Sequence, residues 1–195
     1  MRFFPRARRF FVDDQSELFR RYFVNTVFDS TFVVLGILAA AAFVPEANVE
    51  FALGTIFAAC LAIGISTGVS VFEAEHTEAE IRLRRIEGAM LTSLAKTDED
   101  RRTRRSGYAK ALVNFLAPLV VAVVTSLPIV LFEAGILRDF VAAAAISAAL
   151  AMGIIFGTGY YLGVLSGRKP LLRALRMTGV AIVTFAVLIV LQRFL

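Results

Sequence analysis

Apolar residues fall into five long blocks along this chain, at roughly 23–44, 51–72, 111–132, 140–165 and 174–192. A membrane-crossing helix needs about 20 such residues at a rise of about 1.5 Å each. In hydrocarbon a helix satisfies every backbone N–H and C=O within one segment. The pattern therefore predicts an all-α membrane protein with five transmembrane helices. Their spacing is uneven. Blocks two and three are separated by a charged stretch of about 38 residues, Glu73 to Lys110, whereas the other connections are short. The chain reads as an N-terminal segment (1–21), a pair of spans (22–72), a polar helical segment (73–110) and three further spans (111–195).

Composition supports the bundle. Of 195 residues, 58% are hydrophobic, and the mean hydropathy of +0.74 excludes an ordinary soluble domain. The first residues interleave Arg2, Arg6, Arg8 and Arg9 with Phe3, Phe4, Phe10 and Phe11. This reads as an uncleaved amphipathic segment on the membrane surface, with a basic tail as the plainer alternative. The net charge of +5 does not point to nucleic acid. The cations flank the spans, where they set orientation and meet anionic lipid. Six arginines precede the first span, nine Lys and Arg lie within 73–110, and Arg168, Lys169, Arg173 and Arg176 follow the fourth; the loops at 45–50 and 133–139 are acidic with one arginine. The expected topology is multi-pass, with the N-terminus and the 73–110 segment cytoplasmic and the C-terminus outside. The single cysteine, Cys60, reads as a small apolar filler.

The charged stretch carries the first candidate chemistry. From Phe72 to Glu87 there is neither Gly nor Pro, so the second span should run on as a helix until near Gly88. Glu73, His76 and Glu80 then share one face at i, i+3 and i+7, and Glu87 continues it. Carboxylates and an imidazole on one face suit a borderline divalent metal, and Glu73-x-x-His76 has the spacing used in helical di-iron bundles. One helix cannot complete a coordination sphere, so further ligands must come from a second helix or a second subunit. The plain alternative is a solvated face with Glu78–Arg82 and Glu80–Arg84 pairs. Met90 is a soft candidate ligand or a packing residue. Thr97-Asp98-Glu99-Asp100 reads as an N-cap with an acidic first turn, opening a short basic helix that leads into span three.

Inside the spans, Asp29 is the one acid well within the apolar region, about two turns into span one. Intramembrane acids are functional candidates by default, and a carboxylate that exchanges a proton for a cation is the simplest antiport chemistry. The alternative is pairing with Arg20, Arg21 or Asn25. Asn25, Ser66, Thr67 and Asn114 are further polar candidates along a path. Pro118 and Pro128 free backbone carbonyls in span three. Glycines four apart, at 64/68, 153/157 and 159/163, permit close helix crossings within the bundle or between copies. No nucleophile–base pair, phosphate loop or nucleotide motif is present, so neither an enzyme nor an organic cofactor is expected.

These features resemble the vacuolar iron transporter family, as a distant prokaryotic-type member. Asn25-Thr26-Val27-Phe28-Asp29-Ser30 is similar to that family's Asn-Asp-Gly stretch. Ala62-Ile63-Gly64-Ile65-Ser66-Thr67-Gly68 running into Glu73-Ala74-Glu75 resembles its small-residue segment and acidic helix. Ala111 to Phe115 through Leu127-Pro128 resembles its third span. Thr67 stands where the family has a methionine, and Ser30 where it has a glycine. The resemblance implies a five-span homodimer with the path between subunits, Asp29 as transport carboxylate, and Glu73, Glu80 and Glu87 as leading cytoplasmic ligands, with Glu75, Glu78 and His76 behind them. The expectation is proton-coupled export of a divalent metal ion, Fe²⁺ or Mn²⁺, with Zn²⁺ or Co²⁺ next; the metal is cargo. The rivals are a transporter of another cation using Asp29 alone, and a non-transporting scaffold or sensor whose acidic helix binds a partner protein.

Overall fold

A computed structural model of the chain describes residues 15–43, 49–90, 98–167, 169–192 and 194. Five helices follow in order: α1 (Gln15–Phe43), α2 (Val49–Met90), α3 (Asp98–Glu133), α4 (Phe140–Leu165) and α5 (Pro170–Gln192). Among the described residues there is no strand. Each helix holds a stretch long and apolar enough to cross a membrane. The N-terminal segment as far as residue 14, the 44–48 loop, Thr97 and the Met90 side chain lie outside the described residues.

Two helices far exceed what a span requires. α2 has 42 residues, about 63 Å at 1.5 Å each, against roughly 30 Å of hydrocarbon. It passes through the Glu-rich stretch and Gly88 without a break, as the lack of breakers predicts. α3 has 36 residues and is continuous through Pro118 and Pro128. The basic helix expected before span three is therefore not a separate element but the first turns of α3. The one weak helix former between them, Gly107, is buried, and a Cβ there would lie 3.3 Å from the Glu75 Cβ.

The chain forms two compact units. The first comprises 1–26 with 63–117, the second 27–62 with 118–195. In the first unit, α2 and α3 meet at backbone distance. A Cβ on Gly64 would fall 2.6 Å from the Phe115 carbonyl oxygen, and one on Gly68 3.0 Å from the Phe115 Cβ. In the second unit, Gly159 and Gly163 receive α5 in the same way, through Ala174 and Met177 and through Pro170. Asp139 caps α4 by accepting the Val141 N–H at 3.0 Å, and Gly135 takes the left-handed φ of +76° that closes the turn before it. Two of the three glycine pairs thus pack helices within the chain. Gly153 and Gly157 meet nothing within 4 Å.

The core of the second unit is Leu35, Leu38, Ile56, Ile129 and Ile155, all essentially fully buried. Outward, the helices stay apolar. On α5 only Ala174 and Ala181 are buried, while Leu171, Leu172, Val183, Val187 and Val190 are more than half exposed. An apolar surface of that extent is unfavourable in water and suited to hydrocarbon.

Candidate functional site

Polar side chains in the first unit collect on buried helix faces. Lys110 and Asn114 stand one turn apart on α3, and both are buried. The Lys110 Nζ donates to the Glu75 carboxylate of α2 at 2.6 Å, with the two side chains only 7% and 14% exposed. The Asn114 Nδ2 donates to the Lys110 carbonyl at 3.0 Å, and its Oδ1 accepts from the Thr26 hydroxyl of α1 at 3.3 Å. The Asn114 carbonyl would normally accept from the amide four residues on, which is Pro118 and has no N–H. The Thr67 Oγ1 of α2 lies 3.4 Å from that carbonyl, although its shorter bond, 2.8 Å, goes back to Ile63. Asn114 therefore ties α1 and α3 together directly and takes a weaker approach from α2.

Beside this column is an open pocket of about 380 Å³ lined by Tyr22, Glu73, Ala74, Glu75, Thr77 and Glu78. Glu73 and Glu78 are exposed on its wall, and Glu75 is its half-buried member. Glu75 and Glu78, three apart on α2, are neighbours on one face, whereas Glu73, two residues before Glu75, lines the pocket from another side of the helix. Next to it, Phe72 packs between His76, at 6.0 Å in a stacked arrangement, and Tyr108 of α3, at 5.0 Å. The His76 Nε2 lies 3.5 Å from the Glu80 carboxylate.

The candidates from the sequence are distributed unevenly over this geometry. Glu73, Glu75 and Glu78 share the pocket. His76 and Glu80 form a pair one turn further on, and Glu87 is half-buried beyond them. Among the described residues no group of three or more His, Cys, Asp or Glu side chains converges closely enough to hold a metal ion. Glu75 has Lys110 for a partner. Asn25 and Asp29 lie on the exposed face of α1, with Val33 one turn beyond them, whereas Thr26, Ser30 and Thr31 occupy its buried face. Ser66 is exposed, Thr67 half-buried and Asn114 fully buried.

Reading the sequence for acids and breakers missed Lys110, which was counted among the orienting cations. The signal was its spacing: Lys110, Asn114 and Pro118 recur every four residues, which is one face of α3. Thr26 and Thr125 were missed as well; Thr125 is buried, and its hydroxyl donates to Val121 at 2.7 Å. Ser126 and Ser147, both buried in the second unit, have hydroxyls without a hydrogen-bond partner among the described residues.

Fold and site together define a class: a helical chain with five helices able to span a membrane, carrying an acidic pocket and a buried polar column. No model of a known protein family matches the chain, and no curated protein or solved structure does.

Proposed function

We propose that the protein is a multi-pass membrane transporter for a divalent metal ion, Fe²⁺ or Mn²⁺, moved out of the cytoplasm against protons. The observation that carries this reading is the pocket of Glu73, Glu75 and Glu78 on an otherwise apolar bundle. Hard oxygen donors suit Mn²⁺ and Fe²⁺, and such ions retain water where protein ligands are few. Glu73 and Glu78 would collect the ion, with His76 and Glu80 as a second contact point. The N-terminus and the pocket face the cytoplasm and the C-terminus lies outside, as the distribution of Lys and Arg favours.

Asp29 would serve the crossing. Asp29 lies on the exposed face of α1, and an ionised carboxylate at the centre of a membrane helix costs about 2.5–3.5 kcal/mol. In a homodimer that face would be covered, and Asp29 would exchange cation for proton at the interface. The test is flux into proteoliposomes. Mn²⁺ entry accompanied by opposite proton movement supports the transporter, and loss of flux in D29N supports the role of Asp29. Flux that survives replacement of Glu73 and Glu78 by Ala favours a carrier of other cations through Asp29 alone.

Two observations favour a second reading, a scaffold or sensor without transport. The described residues of one chain hold no three-ligand cluster, and the end of α2 exposes Glu78, Glu80, Arg82, Arg84 and Arg85, a surface able to meet a partner protein. Absence of both metal affinity and flux would select it.

A further inference from the structure

Glu75 belongs to two environments. The residue is part of the lining of the acidic pocket, and its carboxylate receives the Lys110 ammonium at 2.6 Å. Lys110 is not among the residues lining that pocket, so Glu75 is the lining residue that also contacts the lysine. We infer that Lys110 is a tethered counter-cation of Glu75 which an ion entering the pocket displaces, and that it thereby sets how strongly the pocket binds. This inference rests on the proposed cation-binding reading and adds to it the residue that opposes binding.

Four observations support it. First, the lysine is nearly enclosed, and among the described residues its Nζ donates one hydrogen bond, to Glu75. Second, a buried ion pair is a poor device for stability alone, because well-packed apolar residues of similar volume do as well or better. A function other than holding helices together accounts for its presence more directly. Third, the head can leave without moving the helix. The Lys110 carbonyl is fixed by Asn114, while the charge sits on a flexible four-carbon stem. Fourth, Gly107 puts no side chain over Glu75, and a Cβ there would already be 3.3 Å from the Glu75 Cβ. The carboxylate therefore sits close against α3.

The electrostatics give the arrangement a direction. While Lys110 neutralises Glu75, Glu73 and Glu78 supply the free charge of the pocket. At equal distance a dication is attracted to Glu75 about twice as strongly as the single charge of an ammonium. A divalent ion therefore competes with the tethered lysine where a monovalent ion gains nothing. Lys110 in this account is a positioning residue for Glu75, not a ligand.

The experiment uses the full chain purified in detergent and Mn²⁺ as probe. Calorimetry on wild type, K110M, E75Q and the E75Q/K110M double variant reads the affinities. The inference predicts that K110M binds Mn²⁺ about tenfold more tightly than wild type, and that the gain vanishes when E75Q/K110M is compared with E75Q. Loss of a merely structural contact would weaken binding, not strengthen it. Unchanged or weaker binding in K110M, or a gain that persists without Glu75, overturns the inference while leaving the transporter reading intact if wild type binds. Absence of Mn²⁺ binding in wild type and K110M alike overturns both. Where K110M does not remain monodisperse and helical, amine acylation of wild type decides, with exposed Lys169 as internal control. Saturating Mn²⁺ should raise the acylation rate of Lys110 relative to Lys169 by about threefold or more, because acylation requires the freed amine. An unchanged ratio contradicts displacement.

Discussion

Asn114 uses its polar atoms in three directions, which makes it the residue whose loss should be felt most. Its amide meets the Lys110 carbonyl and the Thr26 hydroxyl, and its own carbonyl, deprived of an amide by Pro118, has Thr67 nearby. Truncation to Ala leaves the Thr26 hydroxyl without that acceptor and opens a small void. Buried groups stripped of a partner cost about 1–3 kcal/mol each. N114A should therefore lower stability by about 2 kcal/mol in detergent unfolding, and T67V by about 1 kcal/mol or less, because the Thr67 proton is mainly committed to Ile63. Equal effects would contradict the hub. At this scale the sequence was half legible. Asn114 stood out as an amide in an apolar span, but nothing in residue identity distinguishes a lysine that orients a membrane helix from one that turns inward to a glutamate.

Among the elements, the glycine pairs separate into those the bundle uses and those it leaves open. Valine at Gly64 would drive a side chain into the Phe115 carbonyl, with α2 and α3 already in backbone contact. G64V should cost about 3 kcal/mol, at the upper end of overpacking penalties. Alanine at Gly157, which meets nothing within 4 Å, should raise monomer stability by about 0.5–1 kcal/mol, the ordinary gain of Ala over Gly inside a helix. Thermal unfolding of the two variants side by side checks the contrast. The elements themselves were readable: five apolar blocks gave five helices, and the breaker-free run from Phe72 to Glu87 gave the extension of α2. What was not readable was which face of each helix turns inward. In a soluble helix hydrophobic periodicity supplies that, but helices apolar nearly all round carry no such stripe. Asp29 lies on the exposed face of α1, while its neighbour Ser30 and Thr26, three residues before it, lie on the buried one. At 100° per residue, one position is enough to change the face a side chain takes.

For the whole molecule, the proposed function gives the acidic pocket the collection of a cation and Asp29 its exchange for a proton. E73A/E78A should weaken Mn²⁺ binding about tenfold or more, since it removes the two carboxylates not already neutralised by Lys110. D29N should leave binding at the pocket within about twofold while abolishing flux, because Asp29 acts on the crossing and not on collection. The most direct measurement is Mn²⁺ uptake into proteoliposomes holding the wild-type chain and a trapped pH indicator, with an imposed proton gradient. The account predicts Mn²⁺ movement coupled to opposite proton movement, and its loss in D29N. Vesicles that take up no more Mn²⁺ than protein-free controls, with the gradient imposed in either direction, would contradict it.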